Sequence, residues 1–136
     1  YDIISTALIS ENYVYIGGRS EELDAYILKA YDMEGNHLLT FGEKGKDGDD
    51  WLAYVSQIME IPEGFFGIDA NMRDLYIWGP DASVLGSVEA PDLFGARYAW
   101  IAGAAKQDDG SILVALTQDR DDDSATELLL YRLSGF

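Results

Sequence analysis

Apolar positions in this chain fall in short runs separated by Gly, Asp and Asn, and they do not recur at helical spacing. Short runs rich in β-branched and aromatic residues, bounded by turn formers, predict strands. The clearest is Tyr13-Val14-Tyr15-Ile16, which runs into Gly17-Gly18. Tyr26 to Tyr31 follows and turns through Asp32-Met33-Glu34-Gly35-Asn36 into His37 to Phe41. A glycine at such a bend supplies the positive φ that a tight hairpin needs. The same order returns in Ser56 to Ile61, the turn Pro62-Glu63-Gly64, and Phe65 to Asp69. Leu75 to Trp78, the turn Gly79-Pro80-Asp81-Ala82, and Val84 to Val88 close that unit. Tyr98 to Gly103, the turn Gln107-Asp108-Asp109-Gly110, Ser111 to Leu116, and Leu128 to Leu133 make a third.

The second strands of the three units start near Tyr13, Phe65 and Ser111, a period of about 50 residues. Four strands at that period are the pattern of propeller blades. Helical repeats of similar length need amphipathic helices, for which the chain offers no periodicity. A β-sandwich is the rival, because it also strings short strands between turns. The pattern predicts an all-β chain of about three β-propeller blades, each of four antiparallel strands. The units run over about 1–51, 52–95 and 96–136. The third is expected to lack its outer strand, since only the Ser134-Gly135 turn follows Leu133.

Charge narrows the partners. Among 136 residues, 25 Asp and Glu stand against 9 Lys and Arg, a formal net charge of −16. That field repels phosphate backbones and anionic lipid, so neither nucleic acid nor a membrane surface is an expected partner. Proteins and small neutral or cationic ligands such as sugars remain. With no cysteine, disulfides, thiolate catalysis and Cys-ligated metals are excluded. No apolar run is long enough to cross a membrane as a helix. The first residue, Tyr1, is not Met, so the chain reads as a processed product or an excised piece, with an extracytoplasmic (periplasmic or secreted) location favoured.

Two segments carry a family resemblance. Ala30 to Gly42 and Gly64 to Trp78 resemble NHL-type repeats, with Asp69 and Arg73 matching the Asp, short polar loop and Arg of that pattern. The first unit has Gly18 where the second has its Asp-bearing strand end, and the third carries a longer acidic insertion. The resemblance implies a six-bladed propeller, as in the related TolB-like proteins, of which this chain would be half. It further implies a ring completed by a homodimer or by a larger protein. Family members also imply the enzymatic alternative: half of a metal-dependent, lactonase-like hydrolase or lyase, with Asp69 and Asn71 on the inner rim.

Individual residues give weaker pointers. Asp119, Asp121 and Asp123 alternate as hard-oxygen calcium ligands do. The EF-hand glycine position holds Ser124 and the twelfth holds Leu130, which leaves Glu127 as the substitute carboxylate. The competing reading is a solvated acidic loop. Asp49 and Trp51, with Asp69 and Arg73, are the candidate ligand-binding residues, Trp51 as a stacking platform. The other reading of 46–50 is a flexible loop between units. His37 is the single histidine, and no G-x-S-x-G accompanies it, so a surface or structural role is expected. Trp78 and Trp100 lie within strands and are expected in the core. No catalytic residues are assigned, and no cofactor beyond a calcium ion. The expected function is therefore non-catalytic: a binding or scaffolding module presenting loops for protein or ligand recognition.

Overall fold

A computed structural model of the chain describes residues 3–45, 51–70, 74–94, 99–119 and 126–134. These residues form three antiparallel sheets that follow one another along the chain. The first is a meander of β1 (Ile3–Ile9), β2 (Val14–Ser20), β3 (Ala25–Tyr31) and β4 (His37–Phe41). The second repeats it with β5 (Val55–Ile61), β6 (Gly64–Asp69), β7 (Asp74–Trp78) and β8 (Val84–Glu89). The third comprises β9 (Ala99–Lys106), β10 (Ile112–Asp119) and β11 (Thr126–Leu133). One short helix, α1 (Ala90–Phe94), follows β8. Pro91 suits its first turn, where no intrahelical partner is lost. α1 was not predicted, because it is too short for a helical period to show, and β1 was not predicted although its run is rich in β-branched residues.

Three hairpins use one turn. In Asp32–Asn36, Gly79–Ser83 and Gln107–Ser111 the first N–H donates to the fifth carbonyl, at 3.0, 2.8 and 2.8 Å. The fourth N–H returns to the first carbonyl at 3.1, 3.0 and 3.0 Å. That closure forces the fourth residue to positive φ: Gly35 at 89°, Ala82 at 66° and Gly110 at 86°. A carboxylate caps each loop, with Asp32, Asp81 and Asp109 accepting the N–H of Asn36, Ser83 and Ser111 at 2.8, 3.1 and 2.9 Å. The side-chain donors of Asn36, Ser83 and Ser111, and then these N–H groups, hold all three carboxyls below the ordinary 3.8.

The sheets stack face to face with their first strands together. β5 lies against both β1 and β9. Just past the end of β1, Ser10 Oγ donates to Glu60 Oε1 at 2.6 Å, and at the end of β9 Lys106 Nζ donates to the Glu60 carbonyl at 2.9 Å. The three first strands therefore run the same way, with their C-terminal ends at one rim.

Between the first and second sheets the core is aromatic. Tyr15, Tyr26, Phe41, Phe65, Tyr76 and Trp78 are buried together. Phe41 meets Phe65 edge-on at 5.1 Å and Trp78 at 4.9 Å, while Tyr76 and Trp78 stack at 5.1 Å. Such pairs add about 0.5–1.5 kcal/mol each beyond area burial. Gly67 makes room: a Cβ there would stand 2.3 Å from the Trp78 ring. Between the second and third sheets the core is mostly aliphatic, with Ile68, Leu75, Ile112, Val114 and Leu116 joined by Phe66 and Phe94.

Trp78 is fully buried, as expected, but Trp100 is 56% exposed. The register explains the difference. Trp100 pairs with Thr117 and Thr117 with Leu128, a row on the opposite face from the buried Ile112, Val114 and Leu116. Among the described residues no further sheet covers that face.

Candidate functional site

The connector into the second sheet is anchored by a buried carboxylate. Asp69 ends β6 with no exposed surface and accepts the N–H of Ala53 at 2.6 Å and of Tyr54 at 3.1 Å. The Ala70 N–H donates to the Tyr54 carbonyl at 2.9 Å, and Leu52 bridges to Tyr26 at the start of β3. Tyr76 Oη donates to the Trp51 carbonyl at 3.2 Å. These bonds fix residues 51–54 across the rim where the first two sheets meet. They leave the Trp51 side chain 42% exposed.

The result is an open cleft of about 320 Å³, lined by Ser5, Arg19, Tyr26, Trp51, Leu52 and Ala53. Arg19 is the next-to-last residue of β2 and is ion-paired with Asp24, both on the surface. Tyr26 Oη donates to Thr6 Oγ1 at 3.0 Å, and burial raises the hydroxyl's pKa above its ordinary 10.0. Gly17 permits this, since a Cβ there would fall 2.0 Å from the Tyr26 hydroxyl. The cleft lining thus includes an indole, a phenol ring and a guanidinium whose charge is balanced by Asp24. Its size is at the lower end for small-ligand sites and suits a single ring or one side chain.

The expected site residues divide. Trp51 lines the cleft, and Asp69 lies beneath it as the anchor of its connector. Asp49, Asn71 and Arg73 lie outside the described residues, as do Asp121 and Asp123. Asp119 ends β10 and pairs in register with Thr126, and Glu127 pairs with Gln118. Near Asp69, Asp74 has its pKa raised above 3.8, by burial first and then by repulsion from Asp69 and Glu89. Among the described residues no three His, Asp or Glu side chains converge as metal ligands. His37 is exposed, with Nε2 near the Leu39 carbonyl (3.0 Å) and Thr40 Oγ1 (2.9 Å).

Ser5, Tyr26 and the 51–54 backbone were not legible as site residues. What holds the 51–54 backbone there is the Asp69 carboxylate reaching back across 15 and 16 residues, a contact without a local pattern. At the opposite rim Tyr15 Oη donates to Glu60 Oε2 at 3.1 Å. Burial, then the Glu60 charge, push that hydroxyl's pKa well up.

The sequence matches no protein-family model, and no characterised protein is significantly similar to it.

Proposed function

We propose that the chain is a non-catalytic binding module of β-propeller type, and that the cleft at Trp51 is its recognition site. The observation that carries this reading is the indole of Trp51, held half-exposed by a connector whose N–H groups are tied to a buried carboxylate. With its backbone fixed, an aromatic side chain of two torsions loses little freedom when a ligand stacks on it. The acidic chain favours neutral or cationic occupants, such as a sugar ring or a basic side chain of a protein partner.

The propeller part of the reading is supported by the side-by-side first strands and the successive meanders. It is also supported by the two ends of the stack. Ile4 and Ile9 are exposed on the first sheet, as are Trp100, Leu128 and Leu130 on the third. Apolar faces of this kind suit a ring in which further sheets continue the stack.

The test is a two-dimensional NMR titration of the chain with neutral mono- and disaccharides and with short arginine and lysine peptides. The expected result is a saturable shift of the Trp51 indole N–H together with the Ala53 amide, lost in Trp51→Ala. Immobile Trp51 and Ala53 signals across the panel, or turnover of a lactone or ester by the chain, would overturn the proposal.

A further inference from the structure

Arg19 stands in a row that is otherwise apolar. In β2, Tyr15, Gly17 and Arg19 occupy alternate positions, and they pair in register with Ala30, Leu28 and Tyr26 of β3. Alternate positions of a strand share a face, and directly opposed residues of paired strands share it too. Tyr15, Leu28, Ala30 and Tyr26 are all buried in the core between the first two sheets. At its last step the row leaves that core and enters the Trp51 cleft, and there the side chain is a guanidinium. Arg19 is exposed, and its Nη2 donates to the Asp24 carboxylate. Asp24 belongs to the turn between β2 and β3, with its own N–H donating to the Glu21 carbonyl at 3.2 Å and φ at 50°.

The charges at the cleft are one-sided. Arg19 lines it, whereas no Asp or Glu does so among the described residues. Asp24 binds the guanidinium without being part of the lining. Asp69 has no exposed surface, and its two oxygens accept the N–H groups of Ala53 and Tyr54. A basic side chain arriving over the indole therefore meets a guanidinium and no carboxylate. An anion meets a guanidinium already balanced by Asp24, on a chain of net charge −16. The polar groups left for a ligand suit uncharged partners. The exposed Ser5 hydroxyl both donates and accepts, and a guanidinium carries more N–H donors than one carboxylate contact uses. The Tyr26 hydroxyl is committed to Thr6.

We infer that the occupant of this cleft is a neutral sugar, bound through one pyranose ring, and that the Arg19–Asp24 pair sets the preference for an uncharged ligand. The inference rests on the Trp51 cleft being the recognition site. A pyranose carries no charge, and one face of its ring is a patch of C–H groups that covers the exposed indole. Its hydroxyls each donate and accept, so they take N–H donors from Arg19 and exchange hydrogen bonds with Ser5. Leu52 and Ala53 close the cleft with apolar surface, which adds contact but no charge.

The experiment titrates the intact chain, at low ionic strength, with the methyl pyranosides of glucose, galactose, mannose and xylose. Methyl glucosaminide with its amine protonated and methyl glucuronide serve as the charged counterparts, and the Trp51 indole N–H is followed by NMR. The best neutral glycoside is expected to bind about fivefold or more tighter than either charged sugar, a margin that shrinks with added salt. Asp24→Asn keeps a residue that tolerates φ 50° and leaves the guanidinium unbalanced. It should raise the affinity for the glucuronide about fivefold, with the Ala53 amide signal in its native place as the sign of an intact connector. Arg19→Gln should weaken the neutral glycoside and remove the discrimination against the ammonium sugar. Tighter or equal binding of the ammonium sugar, or a Trp51 shift with lysine or arginine peptides and no neutral glycoside, overturns the inference and leaves the cleft as the recognition site. A glucuronide affinity unchanged by Asp24→Asn also overturns it. A Trp51 signal that moves with no sugar and no peptide overturns the reading of the cleft itself, and the inference with it.

Discussion

The two junctions between sheets do the same job with different materials. The first is sealed by six aromatic rings, with four strands on each side and the outer strand β4 covered. The second rests mainly on aliphatic contacts, with three strands on one side among the described residues and the outer strand β8 partly exposed. Large flat rings bury more area per residue and interlock by geometry, whereas branched aliphatic side chains depend on continuous coverage. The first two sheets should therefore behave as one firm unit, with the third as the weaker partner.

The largest test removes the central ring of the firmer junction. Trp78→Ala should cost about 3–5 kcal/mol in urea unfolding, because the cavity would be shared by Phe41 and Tyr76. A loss below about 2 kcal/mol would break the distinction between the junctions. Next, Leu116→Ala in the second junction should cost about 2–3 kcal/mol. Native-state hydrogen exchange should show its effect concentrated in β9–β11, with β2, β3, β6 and β7 still protected. Uniform loss across all three sheets would show that the third is not a weaker unit.

A smaller effect is expected at the shared turn. Gly110→Ala places a Cβ at φ 86° and should cost about 1–2 kcal/mol, from backbone conformation alone since a Cβ there meets nothing within 4 Å. The smallest effects are pH-dependent, and they have opposite signs at the two extremes. Asp32, Asp81 and Asp109 have folded pKa values below 3.8, so their contribution is present above that pH and is lost as pH falls below it. Asp109→Asn should flatten the acid limb of the stability curve measured between pH 6 and 2, and an unchanged slope would remove this turn from the account. Tyr15 has a raised folded pKa, so its contribution is present below 10.0 and is lost as pH rises above it. Tyr15→Phe should flatten the alkaline limb, in the first junction only.

Much of this architecture was legible. The turn residues Asp32-Met33-Glu34-Gly35-Asn36 and Gln107-Asp108-Asp109-Gly110 announced hairpins because their conformations are set by nearest neighbours. Trp51 was legible as a candidate because an aromatic beside an acidic, Gly-containing stretch has little reason to be buried. Its companions were not, since Arg19, Tyr26 and Ala53 become neighbours only when β2, β3 and the connector dock. Trp100 was misjudged because alternation along a strand marks two faces without saying which of them has a neighbour.

Alternating apolar positions and loop-closing Gly and Asp residues determined from the sequence alone that this is an all-β chain of successive hairpins, because both act within a few residues. Only the tertiary structure decided which face each sheet buries, which rings meet, where Asp69 anchors the Trp51 connector, and that β8 is left partly exposed. Those outcomes depend on contacts between residues far apart in the chain, and local patterning places no constraint on which distant surface arrives.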